Sequence, residues 1–282
     1  MIFFKKVTDL QTYLGKKREA GKKIGFAPTM GALHQGHLSL IESSRENNSI
    51  TVCSIFVNPT QFNDPADFEK YPITIEKDIA MLEAAGTTIL FLPPVSEIYP
   101  SGVSGSQQYG LGYLETILEG KYRPGHFQGV CKVMDRLLSI VKPDNLYLGQ
   151  KDYQQCLVIT KLVELMGQKD TIRVNICPTL REDDGLAMSS RNMRLNKEDR
   201  AKAPAIYGAL NHIKKNLKPG NLQALKTAAL AKLTTEGFKP DYIEIADADT
   251  LQIASEWDGK QKLVALAAAF LNEVRLIDNM VI

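Results

Sequence analysis

Two histidines three residues apart, His34 and His37, flank Gly36 in the stretch PTMGALHQGHLSL, residues 28–40. An imidazole can donate an N–H, exchange a proton or bind zinc. The pair is therefore compatible with a metal site, an acid/base pair or a phosphate-binding turn. A fourth interpretation is that one histidine packs or caps a helix and the pairing is accidental.

A zinc site is poorly supported by the sequence. Zinc needs four protein ligands, or three and a water molecule. The chain has only four histidines and no H-E-x-x-H motif, so the remaining ligands would have to be remote carboxylates.

The position of the pair in the chain favours phosphate. Residues 22–30 read as a strand and residues 37–48 as a helix, which places Gly36 and His37 at the first helical turn. Unpaired amides and the helix dipole attract anions there. Side chains at i and i+3 can point the same way, so both imidazoles can reach one phosphate.

Strands alternate with helices around this turn. Apolar and β-branched runs predict strands at 22–30, 50–58, 87–93, 144–150 and 171–177, and amphipathic spacing predicts helices at 37–48, 73–86, 125–143 and 151–167. This order predicts an α/β fold with a Rossmann-like parallel sheet. Ligands bind such sheets at the carboxyl ends of strands. The histidine turn and LGQKD, residues 148–152, both follow strands and should open on one edge.

The pattern changes near Pro178. Two helices, 200–217 and 222–237, are followed by strands at 241–251, 262–270 and 273–282. We predict a Rossmann-like domain over residues 1–178 and a smaller α+β domain over residues 179–282.

Composition argues against several classes of partner. The 282 residues carry a net charge of +2, which gives no strong attraction to nucleic acid or membranes. The four cysteines form no C-x-x-C pair and are typical of buried thiols in a reducing compartment. No apolar run is long enough for a membrane helix or a signal peptide. A cytoplasmic protein is expected.

A later loop, DGLAMSSRN at residues 184–192, offers two hydroxyls and a guanidinium suited to phosphate. Alone, it could equally be a polar interdomain linker. Together with the H-x-G-H turn, it resembles the nucleotidyl-transfer superfamily that includes class I aminoacyl-tRNA synthetases and small cytidylyltransferases.

Five longer motifs narrow the resemblance. PTMGALHQGH, SIFVNPTQF, RPGHFQGV, LGQKDYQQ and REDDGLAMSSRN occur in this order and resemble the pantothenate synthetase (pantoate–β-alanine ligase) family over essentially the whole chain. The resemblance implies a C-terminal lid domain and a homodimer. It also implies that ATP, as a substrate, activates pantoate as an adenylate that β-alanine then attacks. Mg²⁺ is expected with ATP, its protein ligands unassigned.

The resemblance also assigns site residues. The proton donor would be His37, assisted by His34 and Lys151. ATP contacts would be Pro28, Thr29, Met30, Gly31, Ala32, Leu33, His34, Gln35, Gly36, His37, Gly149, Gln150, Lys151, Asp152, Leu180, Met188, Ser189, Ser190 and Arg191. Gln61 would contact both pantoate and β-alanine, and Gln155 would contact pantoate. Asn58 and Arg123 are further pocket candidates; for His126, helix capping is an equal alternative.

Three positions depart from the family pattern. The family usually has Met at Thr60, Glu at Gln150 and Arg at Ile73, so rates and affinities are in doubt more than activity. Two other functions stay open: a nucleotidylyltransferase that releases a stable nucleotide product, and a catalytically silent nucleotide- or RNA-binding module.

Overall fold

The computed structural model describes residues 1–62, 68–103 and 107–282. Its contacts divide the chain into two units, one formed by Met1–Gly149 and Gln155–Pro178, the other by Gln150–Gln154 and Thr179–Ile282. The predicted fold class is confirmed, since the first unit holds a parallel sheet with helices and the second a small antiparallel sheet.

The sheet of the first unit carries the histidine turn. Its strands are β1 Ile2–Phe4, β2 Ile24–Thr29, β3 Ile50–Ile55, β4 Ile89–Phe91, β5 Asn145–Gly149 and β6 Arg173–Cys177. Among the described residues they lie in the order β1-β4-β3-β2-β5-β6, and all pairs are parallel. Phe26 of β2 is paired with Leu146 of β5. The carboxyl ends of these two strands therefore open on one edge, as the sequence predicts.

The four helices predicted before Pro178 are present as α2 Gln35–Asn47, α3 Ile75–Ala84, α6 His126–Val141 and α7 Tyr153–Leu165. Three further helices that the structure describes were not predicted: α1 Val7–Glu19, α4 Val95–Ile98 and α5 Leu118–Tyr122. Residues 150–152 form a 3₁₀ turn, so α7 begins two residues later than predicted. The sequence interpretation missed β1, which has only three residues, and α1, which buries only Leu10 and Leu14.

The second unit has its own apolar core. Its helices and strands are α8 Lys197–Lys202, α9 Ala205–Asn216, α10 Gln223–Thr235, β7 Gly220–Asn221, β8 Lys239–Asp247, β9 Glu256–Trp257, β10 Leu263–Leu271 and β11 Val274–Val281. In the main sheet of this unit, β10 lies between β8 and β11 with antiparallel pairing. The three long strands and the helix predicted over 222–237 are present, whereas the helix predicted over 200–217 is divided at Ala203 and Pro204 into α8 and α9. The larger strands pack with α9 and α10 around one apolar cluster.

All four cysteines are buried, as expected. Burial raises the pKa of the Cys53 and Cys131 thiols to about 12, so both stay protonated at neutral pH and pack as small apolar groups.

None of the helices in the described parts of the chain has both the length and the apolar composition of a membrane span.

Candidate functional site

The turn between β2 and α2 brings the two histidines together. His34 is the N-cap of α2, and the His37 amide donates to its carbonyl at 2.8 Å. The His34 amide donates to Nδ1 of His37 at 3.3 Å, and the ring centroids lie 4.0 Å apart. Because Nδ1 of His37 accepts, its neutral ring carries the proton on Nε2. Two imidazoles thus lie side by side at a helix N-terminus, as predicted for a phosphate turn.

The same helix start retains backbone donors. Within the described residues, the Gln35 and Gly36 amides donate to no carbonyl or side chain. Unpaired amides at a helix N-terminus bind anions, and the helix dipole adds to the attraction. Backbone and imidazole donors are therefore available at one place.

A carboxylate that the sequence interpretation missed lies beneath this turn. Asp78 is fully buried and accepts hydrogen bonds from the amides of Ala32 and Leu33. It lies at helical spacing from Ile75 and Leu82, on the apolar face of α3. An acidic residue at an apolar position of an amphipathic helix is the signal that could have identified it.

Gln61, the predicted contact to both pantoate and β-alanine, lies against the histidine turn. Its Nε2 donates to Sδ of Met30 at 3.1 Å, and its Oε1 accepts from Nδ2 of Asn58 at 3.1 Å. A thioether sulfur is a weak acceptor, which a polar substrate group could replace. The structure therefore joins a predicted ATP contact to a predicted acceptor-substrate contact.

Asn58 fixes the 3₁₀ turn that carries Gln61. The Asn58 side chain is buried, donates to the Gly129 carbonyl at 3.2 Å, and accepts from the Tyr99 hydroxyl at 2.9 Å. The Thr60 hydroxyl donates to the same Asn58 oxygen at 3.1 Å. Thr60, one of the three departures, is thus a hydrogen-bonding part of the turn.

His126 connects Gln61 to Arg123. The Arg123 guanidinium, which can only donate, lies 3.2 Å from Nε2 of His126. Nδ1 of His126 must then carry the proton, and it lies 2.8 Å from the Gln61 carbonyl oxygen. Glu119 in turn lies 3.7 Å from Arg123. His126 is 5% exposed, so its ring holds the backbone of Gln61 from inside the fold.

In the second unit, the C-terminal strand holds the segment that contains Lys151. Nδ2 of Asn279 donates to the carbonyls of Gln150 and Lys151 at 2.9 and 2.8 Å. Nε2 of Gln150 donates to Oδ1 of Asn279 at 3.3 Å. The amide at Gln150, the second departure, is therefore complementary to Asn279. Nζ of Lys151 lies 3.7 Å from the Asp152 carboxylate.

The Ser-rich loop of the second unit is tightly bonded. The Met188 amide donates to the Leu180 carbonyl at 3.0 Å, which brings two predicted ATP contacts together. Oγ of Ser189 accepts from the Arg191 amide at 3.3 Å.

The adjoining Arg181 binds the buried Asp278 carboxylate through two nitrogens, at 2.7 and 3.0 Å. Burial raises the pKa of the Asp278 carboxyl, and the Arg181 charge opposes that rise.

Comparison with known proteins decides the family. The family model described as pantoate-beta-alanine ligase matches residues 2–281. The pantothenate synthetase of Cytophaga hutchinsonii is 43% identical over 285 residues, covering 100% of this chain and 99% of the relative. The chain belongs to the pantoate–β-alanine ligase family. The resemblance found in the sequence motifs is thereby confirmed.

Solved structures of family members agree. The pantothenate synthetase of Thermus thermophilus superposes with a TM-score of 0.90 at 40% identity and covers 99% of both chains. The pantoate-beta-alanine ligase of Francisella tularensis, solved in complex with beta-gamma ATP and beta-alanine, gives a TM-score of 0.82 at 37% identity and covers 100% of this chain and 97% of that one.

For the other predicted site residues, the structure gives their secondary-structure element and their exposure. Gly149 ends β5, and Gln155 is half-buried in α7. Because Lys151 precedes α7, it does not share an α-helical face with Gln155. The third departure, Ile73, is 77% exposed. Among the described residues, no three His, Cys, Asp or Glu side chains cluster as metal ligands.

Proposed function

We propose that this chain joins pantoate to β-alanine at the expense of ATP. In the first step a carboxylate oxygen of pantoate bonds to the α-phosphorus, and pyrophosphate leaves. In the second step the neutral amine of β-alanine attacks the acyl carbon, its proton is lost, and AMP leaves with the bridging oxygen. Membership of the ligase family and the likeness to the Francisella tularensis complex support this reaction.

The observation that carries the proposal is the contact between Met30 and Gln61. A carboxylate can attack the α-phosphorus only if its binding group lies next to the nucleotide turn. Gln61 meets that requirement because its amide touches the turn directly, and Asn58 and His126 hold it in place. Such positioning contributes much of the rate of an adenylation reaction.

The two histidines suit the charge that develops in the first step. As pyrophosphate departs, negative charge grows on its oxygens, and N–H donors aimed at them stabilise the transition state. We assign His37, with its proton on Nε2, as the principal donor and His34 as its neighbour on the same phosphates. The amides of Gln35 and Gly36 add two backbone donors.

The motifs assign further ATP contacts to residues 28–33, 149–152, Leu180 and 188–191. Lys151 would add a positive charge at the phosphates, and Asn279 keeps its backbone fixed. Mg²⁺ would enter with ATP as part of the substrate, bound mainly by phosphate oxygens. In this proposal Gln155 contacts pantoate, and Arg123 acts through His126 rather than on the substrate.

Exchange of labelled pyrophosphate into ATP tests the proposal. Exchange should require pantoate and proceed without β-alanine, and adding β-alanine should release AMP and pantothenate in equal amounts. Exchange without pantoate would exclude the pantoyl adenylate. A stable nucleotide product formed without an amine would indicate a nucleotidylyltransferase instead.

A homodimer in the cytoplasm completes the proposal, since the sequence resemblance implies a dimer. Light scattering on the purified chain should give twice the mass of 31.3 kDa. Cell fractionation should recover the chain with the cytoplasm.

A further inference from the structure

A buried carboxylate binds the histidine turn from below. Oδ2 of Asp78 accepts from the Ala32 amide at 2.9 Å, and Oδ1 accepts from the Leu33 amide at 2.8 Å. The Thr74 hydroxyl donates to Oδ1 at 3.0 Å. Asp78 is 0% exposed, so both carboxylate oxygens act within the fold. Hydrogen bonds to an ionised acceptor are stronger than those between neutral groups.

The turn has a backbone conformation that needs such support. Gly31 has φ +82° and the next residue, Ala32, has φ +49°. Left-handed conformations are unfavourable for residues with a Cβ and persist only where surrounding contacts enforce them. A Cβ on Gly31 would lie 3.1 Å from Oδ2 of Asp78, so the glycine permits the carboxylate to approach. The hydrogen bonds to the Asp78 carboxylate hold a backbone conformation that Ala32 would not adopt by local preference.

The donors of the turn fall into two successive groups. The amides of Ala32 and Leu33 bind Asp78, and the amides of Gln35 and Gly36 come next, at the helix start. We infer that Asp78 is a positioning residue for ATP: by holding the first group, it aims the second group and the imidazoles at one phosphate. This inference rests on the proposed binding of ATP at residues 28–37.

Charge and geometry predict opposite effects of neutralising Asp78. If the carboxylate acted on ATP only through its charge, Asp78→Asn would remove repulsion and tighten ATP binding. If it positions the turn, the nearly isosteric amide would present an NH₂ group to a backbone N–H. One amide of the turn would lose its acceptor, the turn would relax, and ATP binding would weaken. The sign of the change therefore separates the two roles.

Calorimetry measures ATP binding by each variant, and steady-state kinetics give KM for each substrate. Asp78→Asn should weaken ATP binding about tenfold and raise KM for ATP similarly, while KM for β-alanine changes less than twofold. Thr74→Val, which removes the hydroxyl that donates to Oδ1 but leaves both amide hydrogen bonds to Asp78, should weaken ATP binding about threefold. If Asp78→Asn does not fold, the Thr74→Val variant tests whether Asp78 positions the ATP-binding turn. Asp199→Asn is the matched control, because Asp199 is 5% exposed and binds Asn272 and Asn196 in the second unit.

Three results would overturn the inference. They are unchanged or tighter ATP binding by folded Asp78→Asn, an equal change in the constants for ATP and β-alanine, and an equal loss of ATP affinity in Asp199→Asn. If Asp78→Asn is unfolded, unchanged ATP binding by Thr74→Val overturns it. Failure of the unaltered protein to bind ATP would refute the proposed ATP site itself, which is a distinguishable result.

Discussion

A single methyl group added at Gly129 should displace the turn that carries Gln61. Gly129 lies in α6, where a Cβ would come 2.1 Å from the Thr60 carbonyl oxygen and 2.8 Å from Cα of Gln61. Real Cβ atoms essentially never approach closer than 3.0 Å, so the oxygen must withdraw by about 0.9 Å. The obstructing atoms belong to the backbone, so the whole turn has to move.

The cost follows from that displacement. Overpacking a well-packed interior costs about 1–3 kcal/mol of unfolding free energy. The higher helix propensity of alanine returns only about 0.5–1 kcal/mol. A misplacement of about 1 Å can cost roughly 10²-fold in rate when substrates must be aligned. For Gly129→Ala we therefore expect kcat/KM for pantoate to fall about a hundredfold, with much less change in KM for ATP.

Two measurements check this expectation. Urea unfolding gives the stability, and AMP release at saturating ATP gives kcat/KM for pantoate and β-alanine. Gly208→Ala and Gly15→Ala are matched controls, because both glycines lie in helices where an added methyl group would have nothing within 4 Å. Each should gain about 0.5–1 kcal/mol of stability and keep full activity. A Gly129→Ala variant with unchanged stability and kcat/KM within threefold of the parent would refute the reasoning.

Three further predictions follow from the site. Replacing His37 by Ala should slow pantoate-dependent pyrophosphate exchange about 10²–10³-fold if its Nε2–H stabilises the transition state, and a loss below threefold in a folded variant would make its role structural. Replacing Lys151 by Ala should slow formation of the adenylate but not the attack of β-alanine on pantoyl adenylate supplied ready-made; a defect confined to the second step would contradict the assignment. Replacing Arg181 by Met should cost about 3–5 kcal/mol at pH 8, because Asp278 is left as a buried, unpaired charge. Burial raises the pKa of Asp278 in the folded state. The contribution of Asp278 to the unfolding free energy is therefore retained at low pH and lost as pH rises through that pKa. Urea unfolding of this variant should therefore show a smaller loss at pH 5 than at pH 8, and an equal loss at both would contradict it.

Much of the fold could be predicted because its signals are local. Apolar runs and helical spacing identified the β2, β3, β4, β5 and β6 strands, and the change of pattern near Pro178 indicated a second kind of structure. Two of the elements that were missed, β1 and α1, have weak local patterns: three residues in one case, two fully buried leucines in the other. The others, such as α4 and α5, have only two to five residues each. Helix and strand ends shifted by a few residues, as at the 3₁₀ turn before α7.

What the sequence determined by itself is the chemistry that the chain can offer. Histidines at i and i+3 after a strand put one imidazole at the N-cap and the other in the first turn of a helix, and this follows from local geometry at the helix start. The order of five long motifs indicated the ligase family. Both inferences could be made from the sequence without knowledge of any tertiary contact.

Only the tertiary structure decided what holds these groups in place. The bonds from Ala32 to Asp78, from Asn58 to Gly129 and from Asn279 to Lys151 join residues 46, 71 and 128 positions apart. Hydrogen bonds at such separations leave no periodicity in the sequence, because each partner is placed by the packing of a different element. Polar side chains that bind backbone can serve in almost any local context, so their roles follow from the fold.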